Sequence, residues 1–216
     1  KDVADKTQFD TRTRAYISPV RVVWTQNGDL ISGAENLLLQ GNGQATTANT
    51  PKTVFTSKEG KRPSILLDFG REIHGGLQFV TCIRASTKPV KVRVRLGEST
   101  GEAMCNITEE NGATNDHAMR DYTIELPWLG VCEVGNSGFR FVRIDMLEDD
   151  VELPIKEIRA SLLYRDVPYL GSFRSSDPRV DSIWMTGAYT LHLNLQEFLV
   201  EAPKRDRLVW LGDLHP

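Results

Sequence analysis

The sequence predicts a mainly β protein: an antiparallel β-sandwich of the jelly-roll kind, followed by one long helix. Three observations carry this. Short β-branched or alternating runs recur between residues 15 and 165. Gly, Pro and Asn separate them at close intervals with no helical pattern between, the habit of many short antiparallel strands. From Gly171 the apolar residues switch to helical spacing.

Residues 20–24 (Val-Arg-Val-Val-Trp) open the strand series. Residues 33–39 suit a short helix, and residues 41–51, rich in Gly, Asn and Thr, read as an exposed loop. Residues 64–68 form a second strand ended by Phe69-Gly70, and residues 77–83 a third that follows a Gly75-Gly76 turn. Residues 90–96 (Val-Lys-Val-Arg-Val-Arg-Leu) alternate apolar and basic, so one face is buried and the other solvated. Residues 122–126 alternate likewise, and residues 138–144 and 155–164 complete the set. Turns fall at Lys88-Pro89, Gly97, Gly130, Gly135-Asn136 and Pro154.

Ser175-Ser176-Asp177-Pro178 is a helix start, a capping side chain followed by proline at the first helical position. Val180, Ile183, Trp184, Gly187, Ala188, Leu191, Leu195 and Phe198 then recur at helical spacing, a stripe of about six turns. Its end is expected near Val200, because Pro203 disfavours helix in the residue before it. On this stripe Trp184 is expected in the core. One helix cannot bury so wide an apolar face alone. Residues 1–168 therefore read as a sandwich domain, and residues 169–216 as the first piece of a helical domain that continues past this sequence.

A chain of 216 residues suggests one or two domains. A net charge of −3 gives no nucleic-acid footprint. No run reaches the roughly eighteen apolar residues of a membrane span. The charged start Lys1-Asp2 shows no leader, and beginning at Lys leaves a removed leader open. Cys82, Cys105 and Cys132 are odd in number and lack Cys-x-x-Cys spacing, so neither a disulfide framework nor zinc is expected and the thiols read as buried bystanders. No metal and no organic cofactor are implied. Asn106-Ile107-Thr108 matches a glycosylation acceptor, a pattern too short to weigh much.

The densest chemistry lies in residues 201–213, Glu-Ala-Pro-Lys-Arg-Asp-Arg-Leu-Val-Trp-Leu-Gly-Asp. Cleaving a glycosidic bond needs one carboxylic acid to protonate the leaving oxygen and a second carboxylate to activate water or attack the sugar. Further carboxylates and arginines hold hydroxyls, and aromatics stack on apolar sugar faces. Glu201, Arg205, Asp206, Trp210 and Asp213 supply each of those types. A solvated charged loop with one anchoring Trp accounts for the same residues equally well, since charged side chains are mostly exposed.

Glu201, Pro203, Arg205, Asp206, Arg207, Trp210, Gly212 and Asp213 fall on a known pattern. The run resembles the signature of the α-L-rhamnosidases of glycoside hydrolase family 78, roughly Asp-Cys-Pro-x-Arg-Glu-Arg-x-Gly-Trp-x-Gly-Asp. In that family it opens an (α/α)6 catalytic barrel just after its first long helix. The lead-in Phe173-Arg-Ser-Ser-Asp-Pro178, Ile183-Trp184, Tyr189-Thr190 and Gln196-Glu197 resembles the same family. So do residues 67–76, 96–99, 114–117 and 138–143, which resemble the sandwich preceding the barrel. The resemblance spans about residues 60–213.

The resemblance implies an inverting hydrolase of terminal α-L-rhamnosides whose partner is a rhamnose-containing oligosaccharide or glycoside. Asp206 matches the general acid, which must hold its proton near neutral pH through burial against Trp210 and the nearby Glu201 and Asp213. Glu201 and Asp213 match residues that hold rhamnose hydroxyls, Arg205 a sugar-contacting arginine, and Trp210 a residue lining the sugar site. The general base lies far downstream in the family, in the rest of the barrel, so these residues alone are expected to be inactive. The substrate class implies a secreted or periplasmic location. Two positions depart from the family: Glu201 stands where Asp is usual, and Asp206 where Glu is usual. An Asp acid is one methylene shorter, so either the backbone sits closer to the sugar or Asp206 is not the donor.

Asn115-Asp116-His117, with Arg120-Asp121, forms a polar knot suited to sugar or calcium contact; a hydrogen-bond network pinning a loop is the preferred reading. His74, with no nucleophile motif beside it, reads as a turn or surface histidine. Trp128, between Pro127 and Gly130, is the better candidate for an exposed stacking platform. Two other functions fit the sandwich: a non-catalytic carbohydrate-binding module, and a structural domain that caps a catalytic barrel. A different exo-glycosidase on the same barrel is a third.

Overall fold

The computed structural model describes residues 11–107 and 120–214. Within them nine strands follow in order: β1 (Arg12–Ile17), β2 (Arg21–Gln26), β3 (Ile31–Ser32), β4 (Thr53–Thr56), β5 (Ser64–Thr81), β6 (Val90–Gly97), β7 (Asp121–Leu126), β8 (Gly130–Met146) and β9 (Glu152–Arg165). Two α-helices accompany them, α1 (Thr100–Met104) and α2 (Pro178–Asn194). Every named pairing is antiparallel.

The long strands β5 and β8 organise the sandwich by belonging to both of its layers. The first part of β5 pairs with β2 on one edge and with residues 141–145 of β8 on the other. Its second part pairs with residues 130–139 of β8 and with β9. β6 and β7 extend the first layer, and β1 and β4 line the far edge of β9 in the second.

The bend in β5 falls where the sequence suggested a break. Register shifts occur between Asp68 and Ile73 and between Gly75 and Leu77. Gly70 there has a left-handed backbone, φ +82°, which glycine adopts at little cost. At Gly75 a Cβ would stand 1.9 Å from the Ser161 carbonyl oxygen of β9. Phe69-Gly70 and Gly75-Gly76 are therefore bulges inside one strand, and the expected turn between two strands is not there. The missing side chains let neighbouring backbone close up without ending the ladder.

The core fills the space between the layers. Ile65, Leu67, Val92, Val94, Val142 and Ile144 face Leu77, Phe79, Ile158 and Ala160 in one continuous cluster. Phe69 and Phe139 meet edge to face at 5.9 Å, a favoured aromatic geometry. Each fully buried Leu, Ile or Phe stabilises the fold by roughly 1.5–3 kcal/mol. A smaller cluster of Leu66, Phe141 and Ala103 lies beneath α1, whose first turn is capped by the Ser99 hydroxyl accepting from the Glu102 amide. The predicted short helix after Gly33 is a 3-10 helix, Ala34–Leu38. The three thiols are free, Cys82 buried and the other two half-buried.

The helix α2 begins as the sequence predicts, with Asp177 accepting from the Arg179 amide and Pro178 in the first turn. It ends at Asn194, about a turn and a half short of the expected Val200. Tertiary bonds win over periodicity there. The buried Gln196 side chain donates to the Leu163 carbonyl of β9 at 3.1 Å. The Arg165 guanidinium takes the carbonyls of Gln196 and Glu197. The inner side of α2 docks through buried Leu193 and through Tyr189, whose hydroxyl donates to the Glu72 carbonyl at 2.6 Å. Its outer side leaves Ile183 70% and Leu191 58% exposed. Trp184 is half-buried and stacks on Phe173 at 6.3 Å rather than entering the core, because that part of the stripe faces away from the sandwich. Among the described residues no helix is long and apolar enough to cross a membrane.

Candidate functional site

Residues 201–213 follow the end of α2 as an irregular loop that closes on itself. The Glu201 amide donates to the Leu208 carbonyl at 3.1 Å, and the Leu208 amide donates to Glu201 Oε2 at 3.0 Å. Between them Asp206 (φ +60°) and Arg207 (φ +51°) both take left-handed backbone, a conformation sparsely populated by residues with side chains and held only by its surroundings. The reversal sends Arg207 onto the sandwich, where its guanidinium donates to the Asn136 carbonyl of β8. Burial lowers the pKa of Arg207 from its ordinary value.

The predicted site residues are distributed unevenly around this loop. Glu201 is half-buried and spends one oxygen on loop closure. Arg205 Nε lies 3.8 Å from Asp206 Oδ1, with side-chain exposures of 66% and 32%. Trp210 is 53% exposed. Asp213 lies in the 3-10 helix Leu211–Leu214. The expected burial of Asp206 against Trp210 is thus not seen in these residues: both are exposed, because the loop packs on the sandwich through other side chains. Asn115, Asp116 and His117 lie outside the described residues. Next to them, Arg93 and Asp121 form a two-pronged ion pair, at 2.9 and 2.5 Å, across β6 and β7.

A second side chain that ties the loop to the sandwich is Lys204. Its Nζ lies 2.7 Å from Glu98 Oε2 and 2.7 Å from Glu102 Oε1, at the start of α1. Both carboxylates raise its pKa against the opposing effect of burial. Pro203 and Lys204 press on Gly138 of β8, where a Cβ would meet Lys204 Cβ at 3.0 Å and Pro203 Cγ at 3.1 Å. Glu72 stands on the same spot, 3.1 Å from that position. Burial first, then Glu98 and Glu102, push its carboxyl up to about 8, while Lys204 and Arg140 pull it down. Its Oε1 is buried with no hydrogen-bond partner among the described residues, as suits a carboxyl that keeps its proton. No role for Glu72, Glu98 or Glu102 is visible in the sequence, because they lie 102–132 positions from the lysine they meet.

A second charge centre braces the bend of β5. Asp68 is fully buried and accepts from Arg140 at 2.8 and 3.0 Å, Arg21 at 3.0 Å and the Gly70 amide at 2.7 Å. The Arg140 bonds first, with those of Gly70 and Arg21, hold its carboxyl down at about 2 against desolvation. His74 corrects the sequence reading. It is buried within β5, not on a turn, and its Nδ1 donates to the Leu193 carbonyl at 3.1 Å. Burial pushes its pKa down to about 4, so it is a neutral tie between sandwich and helix. Among the described residues no three metal-ligating side chains converge.

No protein-family model matches the sequence, and no curated protein matches it. Solved structures do match. A rhamnosidase from Klebsiella oxytoca with rhamnose bound superposes with a TM-score of 0.69 at 18% identity, over 94% of this chain and 39% of that one. A family 78 rhamnosidase of Bacillus sp. GL1 gives 0.62 at 17% identity, over 82% of this chain and 17% of that one. An α-L-rhamnosidase from Aspergillus terreus gives 0.51 at 23% identity, over 81% and 19%. The chain spans well under half the length of each. At these identities the likeness is one of architecture, and the chain has the fold of a portion of these α-L-rhamnosidases.

Proposed function

We propose that this chain is a portion of an inverting α-L-rhamnosidase that hydrolyses terminal α-L-rhamnosides. The observation that supports this best is the common fold with a rhamnose-bound rhamnosidase over 94% of the chain. In this reading residues 1–168 are the sandwich and residues 169–216 open the helical barrel. Asp206 protonates the leaving oxygen, Glu201 and Asp213 hold sugar hydroxyls, Arg205 contacts the sugar and Trp210 lines its site. The left-handed backbone at Asp206 and Arg207 separates two duties: Arg207 anchors the loop on the sandwich, and Asp206 carries the proposed acid. The base that activates water stands roughly 6.5–9.5 Å from the acid in inverting enzymes. The reading places that base in the remainder of the barrel, so residues 1–216 alone do not turn over. The rhamnoside substrate places the protein outside the cytosol, secreted or periplasmic.

The test is turnover of an aryl α-L-rhamnoside by the full-length protein. Asp206→Asn is expected to lower it by about 10²–10⁴-fold, the usual size of a general-acid contribution. Wild-type turnover in the variant removes Asp206 from this role. A product formed with retained anomeric configuration removes the inverting mechanism.

A further inference from the structure

Away from residues 201–213, a cavity of about 300 Å³ opens where α2 meets β1 and β9. Tyr164, Tyr169, Tyr189 and His192 line it, with Arg71 beside them and aliphatic side chains completing its wall. Its hydrogen bonds fix what it offers a ligand. His192 Nε2 lies 2.6 Å from the Arg165 carbonyl. A carbonyl only accepts, so Nε2 carries the proton. The Tyr169 hydroxyl lies 3.0 Å from Nδ1 of the same ring. Tyr189 donates its proton to the Glu72 carbonyl. The Tyr189 hydroxyl has spent its single donor there, so its oxygen is left with acceptor capacity. The Arg71 guanidinium lies over the Tyr189 ring, 5.1 Å from its centroid, and among the described residues no carboxylate forms an ion pair with it.

An acceptor oxygen suits a hydroxyl donor, aromatic walls suit the apolar face of a ring, and a guanidinium without an ion-pair partner suits a carboxylate, which it grips with two parallel bonds. A neutral sugar leaves Arg71 unused. A fatty acid leaves the Tyr189 oxygen unused. We propose that this cavity is a second ligand site, which takes a hexuronic acid or a glycan end carrying one and holds the carboxylate on Arg71. The site goes beyond the hydrolytic reading and does not depend on it.

The experiment titrates the full-length protein with methyl β-D-glucuronide and, separately, with methyl β-D-glucoside, by calorimetry or ligand-observed NMR. The glucuronide is expected to bind saturably and about tenfold more tightly, the effect of one charge-assisted bidentate pair. Arg71→Met, at an exposed position, should keep the melting temperature and abolish that preference, while Arg71→Lys keeps part of it. Tyr164→Phe gives a second reading of the cavity and should weaken both ligands alike. Equal affinity for the two glycosides, absence of saturation, or an unchanged preference in Arg71→Met overturns the proposal. Glucuronide binding lost in Glu201→Gln but kept in Arg71→Met also overturns it, by placing the ligand in the 201–213 loop.

Discussion

Lys204 holds its ammonium 2.7 Å from a carboxylate oxygen of Glu102, across 102 residues of chain. The loop carrying the candidate sugar-contacting groups is thereby tied to the sandwich through a side chain that has no part in the proposed chemistry. Glu98, at the same distance, makes the tie two-pronged.

Lys204→Met removes that tie, leaving Glu98 without its cation and Glu102 with Arg120 alone, 3.6 Å away. Because the cluster is partly exposed, the expected loss is about 1–2 kcal/mol, below that of a fully buried pair. It should appear as faster amide exchange and proteolysis within residues 201–208, with a small fall in melting temperature. Lys204→Arg should recover most of the protection. Unchanged exchange in Lys204→Met means the loop is held by Pro203 and Arg207 instead.

Glu72 and His74 set opposite pH dependences. Glu72 titrates near 8 in the fold against an ordinary 4.5. The folded state binds its proton more tightly, so this contribution is full below about 4.5 and is lost as pH rises towards 8. His74 titrates near 4 against an ordinary 6.5. Its contribution is full above 6.5 and is lost as pH falls towards 4. Between 4.5 and 6.5 the two slopes cancel, leaving stability level from these groups. From pH 6.5 to 8 the protein is expected to lose about 1–2 kcal/mol through Glu72. In Glu72→Gln that alkaline loss should vanish, as read by urea unfolding at pH 5, 6.5 and 8. Equal alkaline losses in both proteins would contradict the assignment.

Asp68, held at about 2 against an ordinary 3.8, works in the other direction. Its contribution is present above 3.8 and disappears as pH falls through 2. Asp68→Asn is expected to destabilise by about 2 kcal/mol at pH 7, leaving Arg21 and Arg140 without their carboxylate. The difference from wild type should close near pH 2. A gap that stays constant with pH would show a packing effect rather than an electrostatic one.

Gly75→Ala sets a Cβ 1.9 Å from the Ser161 carbonyl oxygen, which belongs to a strand backbone and cannot swing away. The expected cost is about 3 kcal/mol or more, seen as a large drop in the denaturation midpoint. Gly60→Ala is the control: φ is +76° but nothing lies within 4 Å of the new methyl. It should cost only about 1–2 kcal/mol of backbone strain. Similar costs at the two sites would mean that β5 and β9 separate readily at the bulge.

The strand positions with clean alternation were legible in the sequence: residues 90–96 became β6, with Val90, Val92, Val94 and Leu96 all buried, but Arg95 on the face expected to be solvated is buried as well, paired with Asp145. β1 and β4 were not, because Arg-Thr-Arg-Ala-Tyr-Ile is largely exposed and polar and Thr-Val-Phe-Thr is too short to show a period. The continuity of β5 was hidden by its glycines, which signal a turn locally and become bulges only once β8 and β9 flank them. His74 was misplaced for a related reason. Its partner is a carbonyl 119 residues away, and no local pattern reports it. In the candidate site, residue types along the chain single out 201–213 as candidates, whereas the Glu72, Glu98 and Glu102 cluster that receives Lys204 exists only after folding.

Because β5 and β8 each run through both layers, neither layer can melt while the other stands. Denaturation of the sandwich should therefore be all-or-none, with tryptophan fluorescence and far-ultraviolet dichroism tracing one coincident curve. Refolding should be slow, since residues such as Ile73 and Phe139 must find each other before either half of the molecule has anything to rest on.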